Sequence, residues 1–159
     1  MILDLSPSGA VATRGESDAA KFIDDQRMEA KRALSQTYTF GHAFLEALQD
    51  LIAVQEHCSG PDWDGYGAEP VRPKTIWSAY RFLEALPPGL PAPSVGAEPD
   101  GEITLEWYRS PRRTISISIT EDDNLHYSAL LGPNKQYGTE VFFGAVPETI
   151  SDLIRRVLA

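Results

Sequence analysis

The sequence is poor in cysteine, histidine and basic residues. Its 159 residues include one cysteine, three histidines, and 14 Lys or Arg against 23 Asp or Glu. A single cysteine excludes an internal disulfide, and so few sulfur and imidazole ligands argue against a Cys/His zinc cage. The formal net charge of −9 disfavours binding to phosphate backbones and to anionic membranes. We therefore expect no cofactor, no direct contact with nucleic acid and no membrane association.

Long apolar runs are lacking as well. No stretch approaches the roughly 18 apolar residues that a membrane span requires. The first six residues have neither the basic region nor the sustained apolar core of a secretory signal. A free thiol, Cys58, fits a reducing compartment. We expect a cytoplasmic protein.

The composition is that of a globular chain, with 42% hydrophobic and 23% charged residues. A chain of this length buries roughly 70% of its unfolded surface and needs no metal or disulfide to fold. Residues 1–16 show little periodicity, and we interpret them as a flexible or irregular N-terminal arm. Residues 17–159 are predicted to form a single domain.

The first half of that domain has the periodicity of helices. Good helix formers run from Ser17 to Gln36, and apolar residues from Phe40 to Gln55 follow one helical face until Gly60-Pro61 ends it. Another stripe begins after Pro73 and ends at Pro87-Pro88. A last helix opens at Pro147, with Glu148 in its first turn and arginines in its last.

From residue 101 the period changes to two. Alternating residues predict strands over 103–108 and 115–120, followed by a third over 125–129 and a short fourth over 140–143. Short connections favour sequential antiparallel pairing. The predicted fold is α+β, with two or three N-terminal helices, a four-stranded antiparallel meander, and a C-terminal helix packed on one sheet face.

The most distinctive local sequence lies between the second and third predicted helices. Its glycines permit positive φ, so we expect a tight loop with fixed ring directions. In one interpretation Trp63 and Tyr66 bury against the flanking helices while Asp64 caps backbone N–H groups. In the other the loop contacts a ligand or partner, since Trp and Tyr with flanking charge suit interface anchors. The candidate partner-binding residues are Trp63, Asp64, Gly65, Tyr66, Gly67 and Glu69.

The same loop does not match a calcium-binding EF-hand. Counted from Asp62, Asp64 and Gly67 fall at suitable positions, but Tyr66 occupies position 5 and Pro73 position 12. Because the bidentate ligand is missing, we predict no metal site; a weak divalent site through the two aspartates is the alternative.

Catalytic motifs are also missing. The sequence has no glycine-rich phosphate loop, nucleophile elbow or zinc-protease motif. His57 and Cys58 are adjacent on a helix and point about 100° apart, so we interpret Cys58 as a packed side chain. Glu102 and Glu106 share one strand face, which we interpret as solvated. The alternative is a small hydrolase or transferase with its site between the loop at 62–69 and the sheet, using Asp64, Tyr66, Glu106 and His126.

A compact basic turn stands out on this acidic chain. Arg109, Arg112 and Arg113 cluster at the tip of the first predicted hairpin. We add them to the candidate partner-binding residues, because they suit an acidic partner or the acidic stretch at 33–71 of a second copy. That stretch holds six Asp or Glu and no Lys or Arg.

Residues 60 to 158 also resemble a group of small uncharacterised bacterial proteins. The similarity rests on Trp63-Asp64-Gly65-Tyr66-Gly67-Ala68, which has the pattern W-D-[GS]-Y-G-A, followed by the G-E-I-x-L-E-W strand from Gly101 to Trp107. The resemblance implies a compact bacterial protein and carries no activity or ligand with it.

Charge, the missing catalytic motifs and the aromatic loop together favour a binding protein over an enzyme. We predict an acidic module with a protein partner, of the antitoxin-like, immunity or anti-defence inhibitor type, acting by surface charge. A homodimer formed through the sheet is a further prediction.

Overall fold

The computed structural model describes residues 41–159, so the arm at 1–16 and the helix expected over 17–36 lie outside the described residues. Helix α1 covers residues 41–58, α2 covers Pro73–Glu84 and α3 covers Glu148–Leu158. None of the described helices has the length and apolar character needed to cross a bilayer. Glycine or proline marks one boundary of each helix: Gly60-Pro61 follows α1, Pro73 opens α2 and Pro147 is the N-cap of α3.

The sheet has five antiparallel strands in the sequential order β1-β2-β3-β4-β5. Their bounds are Ser94–Ala97, Ile103–Ser110, Arg113–Ile119, Asn124–Leu131 and Asn134–Val141. The α+β class and the antiparallel meander are therefore confirmed, whereas the predicted count of four strands is wrong.

The predicted and observed strands differ in two ways: β1 was not predicted, and the last strand has different bounds. β1 follows the extended segment at 90–93 and was missed because its four residues, Ser-Val-Gly-Ala, show no alternation. The last strand covers Asn134–Val141 rather than 140–143. It begins directly after the turn at Gly132-Pro133 and ends two residues earlier than predicted. A strand at the sheet edge needs no apolar face. The first residues of β5 are mostly polar, so they show no alternation of apolar and polar residues that would predict a strand.

The core lies between the helices and one face of the sheet. Ile103 pairs with Ile119, Leu105 with Ile117 and Trp107 with Ile115, and all six side chains are buried. Helix α3 packs on β2, β3 and β4, while α2 packs on β2 and β3. The buried Trp107 ring donates its Nε1–H to the carbonyl of Pro91 at 2.9 Å, which anchors the segment leading into β1.

Helix α2 is also fastened to the β3–β4 turn by a series of ion pairs, which we call the turn clamp. Arg72, Lys74 and Arg81 contact Glu121, Asp122 and Asp123 at 2.9, 3.2 and 3.4 Å. The guanidinium of Arg81 lies 5.2 Å from the centre of the Phe142 ring as well. The clamp contacts α2 at both ends, through Arg72 and Lys74 at its start and Arg81 in its last turn, and so also holds the loop that precedes this helix.

Candidate functional site

The loop between α1 and α2 is closed by its own backbone. The N–H of Asp62 donates to the carbonyl of Ala68 at 2.8 Å, and the N–H of Gly65 donates to the carbonyl of Asp62 at 3.0 Å. Gly65 and Gly67 have φ values of 75° and 89°. Glycine adopts this left-handed region without a steric penalty, so these two positions allow the chain to turn this tightly.

Both aspartates of the loop hold the backbone. The Oδ1 atom of Asp62 accepts the N–H of Gly67. The Oδ1 atom of Asp64 accepts the N–H groups of Tyr66 and Ala68 at 2.8 and 3.1 Å. The expectation that Asp64 caps backbone N–H groups is confirmed. Because these carboxylates are engaged with amides, their role in the loop is to stiffen it.

The two aromatic side chains of the loop differ in their surroundings. Trp63 is half-buried against the core, and its Nε1–H donates to the carbonyl of Glu69 at 2.9 Å. Tyr66 is 94% exposed. The expectation that Tyr66 buries against a helix is therefore wrong, since the capped turn directs its ring into solvent.

A second acidic segment, the turn between β1 and β2, lies beside this loop. The N–H of Glu69 donates to the carbonyl of Pro99 at 2.8 Å. The backbone of Gly101, at φ 85°, passes so close to Pro70 that a Cβ there would lie 3.0 Å from the Pro70 carbonyl oxygen. The loop and the turn together form one surface, which we call the acidic end of the domain.

Three carboxylates cluster on the turn. Glu98, Asp100 and Glu102 each place one oxygen within 4.8 Å of the others. Burial raises the pKa of Glu102 above its usual value, and the neighbouring Asp100 raises it further. Three oxygens are at most half of the six to eight that Ca²⁺ takes, so most ligands of a cation here would be water.

A polar cleft of about 200 Å³ runs between the two segments. Glu69, Asp100, Glu102 and Glu121 contribute its acidic lining, and Arg72 the basic part. Sequence reasoning found Glu69 but missed the other carboxylates as part of a site. The dipeptide Asp100-Gly101 indicates a tight turn, but nothing in the sequence indicates that this turn lies beside the loop.

The arginines lie at the opposite end of the sheet. Arg109, Arg112 and Arg113 are exposed at the β2–β3 turn, and among residues 41–159 none of them forms an ion pair. Strand β2 separates this turn from the acidic end by about 23 Å at 3.3 Å per residue. The candidate partner-binding residues therefore form two surfaces rather than one.

The residues of the enzyme alternative do not line the cleft. Glu106 lies on β2 and accepts a hydrogen bond from Thr114, whereas His126 lies on β4 and contacts the hydroxyl of Thr139 at 2.9 Å. Strand β3 lies between them and their positions along the sheet differ by two residues, so their backbones are about 12 Å apart. Asp64 and Tyr66 belong to the loop and are also absent from the cleft lining.

The thiol beside the loop is buried, in agreement with its interpretation as a packed side chain. Burial raises the pKa of Cys58, which disfavours the thiolate. The neighbouring ring of His57 contacts the carbonyl of Ala53 at 2.8 Å. The two side chains therefore have separate, structural surroundings.

Comparisons of the chain with protein-family models, with curated proteins and with solved structures give no match. The resemblance to bacterial proteins that share the W-D-[GS]-Y-G-A segment stays a prediction. The geometry of the acidic end is therefore the observation that bears most directly on function.

Proposed function

We propose that this protein is a binding module that attaches to a basic surface of a protein partner through its acidic end. The observation that carries the proposal is the contrast within one loop. Asp62 and Asp64 are committed to backbone amides, while the Tyr66 ring in the same loop is almost fully exposed. A rigid backbone presenting one aromatic side chain loses little conformational entropy on binding, which is typical of an interface anchor.

The charge around Tyr66 supports a basic partner. Glu69 and the carboxylates of Glu98, Asp100 and Glu102 lie on the same end of the domain. An array of fixed carboxylates resembles a row of phosphates in its charge, so it complements a surface that binds nucleic acid. We therefore propose the antitoxin-like, immunity or anti-defence inhibitor class, in which the module blocks such a surface on a toxin, nuclease or defence protein.

The proposal is tested by capture from native lysate at low and high salt, with the full chain immobilised. We expect one stoichiometric partner with a basic surface, retained at low salt and released at high salt, because exposed charges are screened by ions. Tyr66→Ala should weaken capture about tenfold or more, as expected for an interface anchor.

Phe143→Ala is the control for loss of an exposed ring, since Phe143 is 88% exposed and follows the edge strand β5 rather than belonging to the loop or to the β1–β2 turn. This variant should capture the partner as the unmodified chain does. Replacement of Arg109, Arg112 and Arg113 by alanine tests the opposite end. Loss of capture in that variant but not in Tyr66→Ala would assign binding to the arginine turn and overturn the proposal, as would the absence of any stoichiometric partner at either salt.

A further inference from the structure

The two edges of the sheet are protected to different extents. The edge strand β1 has four residues and follows Pro91 and Pro93, both of which discourage pairing with another strand. The edge strand β5 has eight residues, Asn134–Val141, and contains no proline. A long edge strand without such protection is a template for a further strand.

The hydrogen bonds between β4 and β5 show which backbone groups of β5 point toward β4 and which point away from the sheet. The N–H of Phe142 donates to the carbonyl of Asp123 at 2.8 Å, and the register with β4 continues from Asn124 opposite Val141. Backbone groups alternate in direction along an antiparallel strand, so even-numbered residues of β5 face β4 and odd-numbered residues face outward. The outward residues are Lys135, Tyr137, Thr139 and Val141. Among residues 41–159, β5 pairs with β4 alone, so no strand meets these groups.

We infer that β5 pairs antiparallel with β5 of a second copy about a two-fold axis at Gly138, giving a ten-stranded sheet. In this register Lys135 lies opposite Val141 of the second copy, and Tyr137 lies opposite its Thr139. Every outward-facing residue of β5 then belongs to a pair that exchanges two backbone hydrogen bonds. Moving the axis to Tyr137 leaves Val141 without a partner, so the register at Gly138 is favoured.

The side chains fit this register. Residues directly opposite each other share a sheet face, so Tyr137 contacts a β-branched residue and Lys135 contacts an apolar one. On the helix side Gln136 faces Glu140, and no like charges lie opposite each other. Tyr137 and Val141 are 76% and 41% exposed in the single chain. Pairing covers part of both, and this apolar contact adds to the backbone hydrogen bonds.

Charge substitutions at one position test the register. Sedimentation equilibrium of the full chain should give twice the 17.5 kDa monomer mass at high concentration. Val141→Lys places two lysines opposite each other at two symmetric points, which should raise the dimer Kd roughly tenfold. Val141→Glu creates Lys–Glu pairs instead and should lower it. The double variant Lys135→Glu/Val141→Lys should restore dimerisation.

Proline at an outward position tests the backbone contribution. Tyr137→Pro removes an outward N–H that β4 does not use, and Tyr137→Ala removes the same ring but keeps the N–H. The dimer Kd of the proline variant should be at least several-fold higher than that of the alanine variant. Thermal unfolding followed by circular dichroism checks that both variants fold. A monomer at millimolar concentration overturns the inference. So does a dimer whose Kd is unchanged by the Val141 and Tyr137 substitutions, which would place the contact elsewhere.

Discussion

At the scale of single residues, the loop conformation depends on glycines with positive φ. Gly67, at φ 89°, has no atom within 4 Å of the place where a Cβ would be, so only its backbone conformation opposes a side chain. Gly67→Ala should lower the free energy of unfolding by about 1–2 kcal/mol, the penalty for an L-residue in the left-handed region. Urea denaturation measures the change.

Gly60 is the control for this prediction. It also has no atom within 4 Å of its Cβ position, and its φ lies outside the left-handed region. Gly60→Ala should leave stability unchanged or raise it slightly by restricting the unfolded chain. Equal losses in both variants would mean that the loop conformation does not depend on the positive φ of Gly67.

The carboxyl of Glu102 predicts a dependence of stability on pH. Burial, followed by Asp100, raises its pKa, so the folded state holds this proton more tightly than the unfolded state does. The pKa of Glu102 in the folded protein lies above the ordinary value of about 4.3, so the free energy of unfolding rises as the pH falls through this raised pKa. At neutral pH the charged form is a penalty to folding.

Glu102→Gln should accordingly raise the melting temperature at pH 7 by a small amount and flatten the melting profile at pH values above about 4.3, the ordinary pKa of the group. Glu106→Gln, on the same face of the sheet, is the control for loss of one negative charge. Thermal melts of both variants across this range measure the effect. A Glu102→Gln variant that melts lower than the unmodified chain at pH 7 would contradict the prediction.

At the scale of elements, the turn clamp has one inner and two outer ion pairs. Lys74 and Asp122 are exposed, whereas Arg81 and Asp123 are half-buried and Arg81 also lies over the Phe142 ring. Arg81→Met should cost about 1 kcal/mol and Lys74→Met less than about 0.5 kcal/mol, because exposed pairs are weakened by solvent. Denaturation of both variants in low and high salt measures the two losses of stability. Equal losses in the Arg81 and Lys74 variants would contradict the view that burial makes the Arg81 pair stronger.

The elements that the sequence predicts well are those with two distinct faces. Helix α3 and strands β2 and β3 each have one buried and one wetter face, so their period appears directly in the chain. Edge strands lack this contrast. In β5 the residues on both faces are polar or glycine over Asn134–Thr139, apart from Tyr137, so its start was missed.

The candidate site was predictable only as far as it is local. Asp64 and the glycines indicate a tight, capped loop because their effects act within a few residues. The turn carrying Glu98 and Asp100 is about 30 residues further along the chain, and its position beside Glu69 results from sheet packing. The outward direction of Tyr66 follows from the turn geometry, which composition alone does not determine.

At the scale of the whole molecule, charge is separated along the strands. Carboxylates gather where β1 meets β2, and the arginines of the β2–β3 turn lie at the other end of the sheet. Such an arrangement orients the domain in the field of a charged partner before contact and increases the rate of productive encounters at low ionic strength.

The helices cover one face of the sheet, and the other face carries hydroxyl groups. Thr104, Ser116 and Ser118 lie on this second side, opposite the core that α2 and α3 cover within residues 41–159, and Thr104 and Ser116 contact each other at 3.2 Å. Pairing through β5 keeps both helix layers on the same side. Two copies would then present one continuous sheet face about 43 Å wide, at 4.8 Å per strand, with hydroxyl groups toward both sides and Lys135, Tyr137 and Val141 of each copy at its centre. A single copy presents a sheet face of less than half that width.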